Sequence, residues 1–177
     1  MYSKLNKKFI SLEEKKNKII ETISGLDQEI LNKKLKEDRW SIIQIFFHVV
    51  KTERVVELSI KNNLKNKSLE KAGVSSGLRI LYCRITFSSP FKFKAPGLLR
   101  NVPASYSIEE IKSKWQTIRK VLKELLEEFP SDNFNTNVFE HPYFGKFNIF
   151  QTLDFLNYHL KRHERQIRKI IRTNNSK

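Results

Sequence analysis

Cysteine is almost absent from this chain, with one residue in 177, and that scarcity excludes more than any single motif does. Cys83 alone cannot form an intramolecular disulfide, so nothing staples the fold covalently and a reducing, cytoplasmic setting is expected. A four-cysteine zinc site is excluded by the same count, and any bound metal must use His, Asp, Glu or water. No apolar run approaches the ~18 residues of a membrane span. The first residues, Met1-Tyr2-Ser3-Lys4-Leu5-Asn6-Lys7-Lys8, are basic but lead into no apolar core or small-residue cleavage site, so no signal peptide is expected. Glycine and proline are scarce, five of each, and six of those ten residues fall between Lys65 and Tyr106, leaving long stretches on either side open to helix. Acidic residues are outnumbered 19 to 34, for a net charge of +15. Such an excess suits nucleic acid or an anionic surface as partner. Lysines nevertheless run from Lys4 to Lys177, which is the pattern of compositional bias and a lysine-coated surface. The densest basic run, Lys161 to Arg172, shares its helix with an apolar stripe and reads as a solvated face, with an anion-binding patch as the alternative.

What the sequence does contain is helical periodicity. Hydrophobic residues at 39% and charged residues at 30% describe a soluble globular chain, and 177 residues suit one domain, 1–177, with a sizeable core. Four segments open on similar start signals: Ser11-Leu12-Glu13-Glu14, Ser41-Ile42-Ile43-Gln44, Ser107-Ile108-Glu109-Glu110 and Asn148-Ile149-Phe150-Gln151. Each fits or approximates a capping box, in which the Ncap side chain and a Glu or Gln three residues on satisfy backbone donors reciprocally. Trp40 with Ile45 and Tyr106 with Ile111 add possible hydrophobic staples.

The first helix is predicted from about Ser11, or somewhat earlier, to Ser24, with Leu12, Ile19, Ile20 and Ile23 inward and Gly25 at its end. A polar link follows, with a helical turn around Ile30 and Leu31. The second helix is predicted from Ser41 to Asn63, along the stripe Ile42, Ile45, Val49, Val56, Ile60. Between 65 and 106 lies a long crossover. It holds one short helix, Ser76 to Thr86, and an extended aromatic cover from Phe87 to Pro96; a connection of that length marks a crossover or functional loop. The third helix is predicted from Ser107 to Phe129 on Ile108, Ile111, Trp115, Ile118, Leu122 and Leu125, and Pro130 stops it. Residues 130–147 read as a loop, with no convincing strand pair. The fourth helix is predicted from Asn148 to Arg172, on Ile149, Leu153, Leu156, Leu160, Ile167 and Ile170, with 173–177 a disordered tail. The fold class is therefore all-α, a four-helix bundle with a long crossover between helices 2 and 3.

The histidines fall on this scaffold in a pattern. His159 and His163 are four residues apart, one turn along the same helix face, where two imidazoles can ligate one ion. At about 100° per residue, His163 sits inside the apolar stripe and His159 at its edge. Two neighbouring buried rings need partners, which a metal, or buried carboxylate and hydroxyl groups, would supply. The third candidate is His48 on the second helix, a quarter turn off the stripe, beside Gln44, Thr52, Val55 and Ser59. Alone it reads as a histidine bonded to a carbonyl or water at a helix edge; with the pair it makes a three-histidine site the better reading. Gln44, Thr52, Phe155 and His141 are pocket candidates, the last at the start of a His-Pro turn.

Trp40-Ser41 leading into His48, the proline-rich aromatic crossover, His141-Pro142-Tyr143-Phe144-Gly145, and His159-x-x-x-His163 followed by Arg165-Gln166-Ile167 together resemble the DinB-like (YfiT-type) superfamily. The resemblance spans about Ser11 to Arg172. It implies a four-helix bundle regarded as a metal-dependent enzyme. It also implies a divalent ion, nickel, zinc, manganese or iron, on one histidine of the second helix and two of the fourth, here His48, His159 and His163. Characterised relatives include thiol-dependent S-transferases and isomerases. Many carry an acidic residue soon after the first histidine, whereas here Lys51 stands at i+3 and Glu53 at i+5, about 140° around the helix from His48.

Three neutral histidines leave coordination positions open, the mark of a catalytic rather than structural site. Asp154 and Glu164 lie off the inner face, and no Ser-His-Asp pattern, phosphate-binding loop or dinucleotide motif is present. The expected function is a metal-dependent hydrolase or thiol-dependent S-transferase on a small molecule, with a low-molecular-weight thiol as a candidate partner and a homodimer allowed. The alternatives are a basic module for nucleic acid or an anionic surface, with nucleic acid the less favoured partner, and a bundle whose histidines are only structural.

Overall fold

The first helix begins nine residues before the predicted Ser11 start. Helix α1 covers Tyr2–Ser24, because Leu5 and Phe9 extend the stripe of Leu12, Ile19 and Ile23 upstream, all five buried. Ser11 is thus interior, and its hydroxyl accepts from Lys15 Nζ instead of capping. Gly25 follows the last turn with φ −97°, so the helix ends there without a left-handed residue. Residues 1–65, 69–73, 75–89 and 107–175 are described by the computed structural model. Helix α2 (Gln28–Asn32) is the short turn around Ile30 and Leu31.

Helix α3 covers Ile42–Leu64 and has the full capping box. Ser41 Oγ accepts from the Gln44 backbone N–H at 3.3 Å, and Gln44 Oε1 accepts from the Ser41 N–H at 3.1 Å. Since the cap is buried, water cannot replace the lost acceptor. Ser41→Ala is expected to destabilise by about 1–2 kcal/mol, read as a lower urea midpoint at unchanged slope. Helix α4 (Ser75–Ser88) occupies the crossover and takes in Phe87 and Ser88, which the sequence had assigned to an extended cover. The rest of that cover, residues 90–96, and Tyr106 of the second staple lie outside the described residues.

Helix α5 covers Ile108–Glu127, with Ser107 Oγ accepting from the Glu110 N–H. Leu126 is fully inside and Leu125 only partly, a small rotation of the predicted stripe. A 3-10 turn, Ser131–Asn133, follows Pro130. Helix α6 covers Ile149–Asn175; Asn148 and Gln151 exchange side chain-to-backbone bonds at 3.0 and 3.1 Å in an asparagine version of the capping box. Residues 173–175 are helical where a disordered tail was predicted, and residues 176 and 177 lie outside the described ones.

Residues 130–147 are not a plain loop. Strands β1 (Asn137–His141) and β2 (Gly145–Asn148) pair antiparallel, with Phe139 opposite Phe147 and His141 opposite Gly145. Gly145 has φ 75°, the left-handed conformation that closes such a hairpin and that a side chain would strain. The register shifts between Asn137 and Phe139, which places Val138 and Phe139 both inside and erases the alternation that would have announced a strand.

The long helices close a ring in which α1 packs on α6, α6 on α3, α3 on α5 and α5 on α1. The architecture is a four-helix bundle, with α4 and the hairpin laid against α6. Inside the ring, α5 is tied to α3 by a buried ion pair: Arg119 Nε and Nη2 donate to the two Glu53 carboxylate oxygens, both at 2.6 Å. Trp115 Nε1 donates to the same carboxylate at 2.7 Å, and Arg119 Nη1 reaches Glu13 of α1 at 3.3 Å. Glu53 therefore faces α5, away from the histidines of α6.

Candidate metal centre

His48 on α3 and His159 and His163 on α6 are brought to one point by the α3–α6 packing. All three are buried, and their ligand nitrogens lie within 4.8 Å of one another. The Nε2 atoms converge: His48 to His159 at 3.2 Å and His163 to His159 at 3.0 Å. Ligands about 2.1 Å from a shared ion stand about 3.0–3.4 Å apart at right-angled to tetrahedral geometry, so these separations fit a metal. Hydrogen bonding alone fits poorly, because the His159 Nε2 atom has one in-plane site for two neighbours.

The surroundings fix each ring. His163 Nδ1 lies 2.8 Å from Gln166 Oε1. An amide oxygen only accepts, so Nδ1 carries the proton and Nε2 keeps its lone pair toward the cluster. Gln166 sits one turn from His163 on the same helix. Gln166→Leu is expected to weaken metal binding by about 10–100-fold, measured by competition with a chromogenic chelator, while three ligands still bind. His48 rests against Trp40, ring centroids 4.8 Å apart. His159 is held between Phe87 of α4 and Phe155 of α6, at 5.8 and 5.7 Å; its Nδ1 is buried with no hydrogen-bond partner among the described residues.

Burial, with the neighbouring imidazoles as a second cause, holds His159 and His163 well below the usual histidine range. Both are therefore neutral at pH 7, the protonation state that ligates metal. Among the described residues no carboxylate completes the cluster. Asp154 is engaged by Lys8, and Glu164 by Arg168 at 3.0 Å and Lys18 at 3.7 Å.

The four pocket candidates separate. Phe155 lines the cluster, stacked on Phe139 of the hairpin at 5.4 Å and tilted against His159 at 5.7 Å. His141 stands one ring further out, 5.0 Å from Phe155 and 4.6 Å from Phe144, and its Nδ1 accepts from the Tyr143 N–H. Burial lowers its pKa to about 4, so it too is neutral at pH 7. Gln44 is spent on the α3 cap, and the Thr52 hydroxyl donates to the His48 carbonyl one turn back at 2.9 Å. Sequence reasoning assigned no role at the site to Gln166, part of the fourth-helix motif, or to Phe87, placed in the crossover. The first had a signal, an amide three residues after a histidine; the second arrives from the crossover, whose docking no periodicity reveals.

Similarity to known proteins agrees with this arrangement. YuaE of Bacillus subtilis (strain 168), itself uncharacterised, is 26% identical over 148 residues, 84% of this chain and 87% of its own. YfiT from Bacillus subtilis, described as a probable metal-dependent hydrolase with an unusual four-helix bundle topology, superposes with a TM-score of 0.66 at 14% identity. That superposition covers 97% of this chain and 87% of YfiT, and at so low an identity it speaks for the fold. Residues 11–167, which carry the bundle and all three converging histidines, match the sequence pattern of the DinB superfamily, and the chain belongs to that superfamily.

Proposed function

We propose that this chain is a metal-dependent hydrolase of a small molecule, with His48, His159 and His163 as the ligands of one divalent ion. The observation that carries the reading is the convergence of three buried Nε2 atoms at 3.0 and 3.2 Å. The YfiT fold, in a protein described as a probable metal-dependent hydrolase, supports it. A divalent ion held there supplies Lewis acidity and draws the pKa of a water it binds toward about 7. The chain's own part is orientation and exclusion. Gln166 sets the His163 tautomer, Trp40 and Phe87 hold the other two rings, and Phe155 closes the hairpin side to water. Neutral ligands leave the ion's full charge to act on an electron-rich substrate group.

Thiol-dependent S-transfer is the alternative chemistry for the same three ligands, favoured by the absence of a free carboxylate base at the cluster among the described residues. The thiol would come from a small molecule, because burial pushes Cys83 up to about 12. Protein stripped with a chelator and reloaded in turn with zinc, nickel, manganese or iron distinguishes the two on ester, amide and thiol-plus-electrophile substrates. Hydrolysis by the loaded form alone is the expected result. Equal turnover by stripped protein would remove the hydrolase reading, and turnover that requires added thiol would replace it with S-transfer.

A further inference from the structure

Helix α4 is apolar on two opposite faces. Cys83 and Phe87 turn inward against the bundle. On the other side Leu78, Leu81, Tyr82 and Ile85, at i, i+3, i+4 and i+7, form one stripe with residues between 49% and 71% exposed. Four large apolar side chains in register on a solvent-facing helix are a patch, not scatter, and such patches mark contact surfaces. Tyr143, at the hairpin turn, is exposed nearby; its neighbour Phe144 packs on Tyr82 at 5.7 Å. Arg79 and Arg84 fall about 100° to either side of its centre; Arg84 is exposed, Arg79 is half-buried and donates to Ser75 Oγ and the Lys146 carbonyl, and α4 has no acidic residue in its 14 positions.

We propose that the outer face of α4 docks on an anionic lipid bilayer, lying in the interface with Leu78, Leu81, Tyr82 and Ile85 inserted and Arg84 among the headgroups. Charge chooses this occupant over a second copy of the chain. Two copies at +15 each repel, and one stripe on a 14-residue helix is far short of the roughly 800 Å² per partner of a stable interface. An anionic membrane needs only a shallow apolar anchor backed by basic charge, and tyrosine is at home at that depth. The surface lies outside the metal centre and does not depend on its chemistry. Phe87 on the inner face of the same helix touches His159, so docking would hold the site within one helix diameter of the lipid.

Sedimentation of the full chain with vesicles of phosphatidylcholine alone, and of phosphatidylcholine with phosphatidylglycerol, tests this. Binding to the anionic vesicles is expected, with little to the neutral ones and a decline as salt rises. The triple variant Leu78→Ser, Leu81→Ser, Ile85→Ser changes only exposed side chains, and it is expected to lose about tenfold or more of the vesicle partition. Its helical circular dichroism and metal content should stay at wild-type values. No binding to the anionic vesicles overturns the proposal, and so does equal binding by the triple variant. A wild-type dimer in light scattering that the triple variant dissolves would also overturn it, assigning the face to a second copy.

Discussion

His159→Ala is expected to abolish metal retention, taking the chain from one divalent ion to none at micromolar protein. His159 is the middle of the three converging rings. Its Nε2 is 3.2 Å from that of His48 and 3.0 Å from that of His163, and the two outer rings meet edge to face with centroids 5.0 Å apart. Structural zinc sites bind with ~10–16 kcal/mol over about four ligands. One ligand is therefore worth about 3 kcal/mol, or at least ~100-fold in affinity. Removal of the middle one also leaves only two rings, on separate helices, to hold an ion. The measurement is metal content after equilibrium dialysis, with circular dichroism to show that the variant is folded. His48→Ala and His163→Ala should weaken binding in the same direction. Gln166→Leu, which removes only the acceptor behind His163, should fall between them and wild type. A His159→Ala protein that keeps a full equivalent of metal would mean that the three nitrogens are not the ligands.

Glu53→Ala is expected to have the largest effect on stability. Arg119 is buried and its guanidinium is satisfied chiefly by Glu53, which accepts from Nε and Nη2 and also from Trp115 Nε1. Truncating the carboxylate leaves a buried cation with the longer Glu13 contact at 3.3 Å and the face of Trp115 at 5.7 Å, a loss of about 3–5 kcal/mol. For a chain of this size that is roughly 10 °C or more in Tm. Because a typical domain is stable by only ~5–15 kcal/mol, much of the margin goes. Replacing both partners by apolar residues, Glu53→Met with Arg119→Met, removes the stranded charge together with its partner and should recover a large part of the loss. Urea unfolding of the two single variants and the double gives the coupling directly. A loss under ~1 kcal/mol in Glu53→Ala would show that the pair is hydrated rather than sealed in the bundle.

The bundle was legible because its four long helices each bury one stripe, and burial at a 3.6-residue period leaves a mark on sequence. The histidines were legible for the same reason. His159 and His163 lie one turn apart on a face already marked as inner, and His48 sits off the centre of a second stripe. The hairpin was hidden for a physical reason. Its strands are five and four residues long, and the bulge beside Val138 turns two consecutive residues inward, so no period of two survives. Ser11 misled because Ser-x-x-Glu occurs inside helices as well as at their starts, and only Phe9 and Leu5, one and two turns upstream of Leu12, show that the stripe continues. The Glu53–Arg119 pair left a usable trace. Glu53 is four residues after Val49 and three before Val56, in line with the α3 stripe, and Arg119 is one turn after Trp115. Two opposite charges standing in apolar stripes of different helices point to a buried pair. The placement of Phe87 against His159 left none, since it depends on how the crossover docks.

The most direct test of the central claim is X-ray absorption at the metal edge of untagged protein, purified without a nickel column and loaded with a single equivalent of zinc, then of nickel. One ion per chain is expected, in a nitrogen and oxygen shell at about 2.0–2.1 Å for zinc, with the outer-shell scattering of three imidazoles that falls away in His159→Ala. Failure to retain any divalent metal, or a shell without imidazole scattering, would contradict the account.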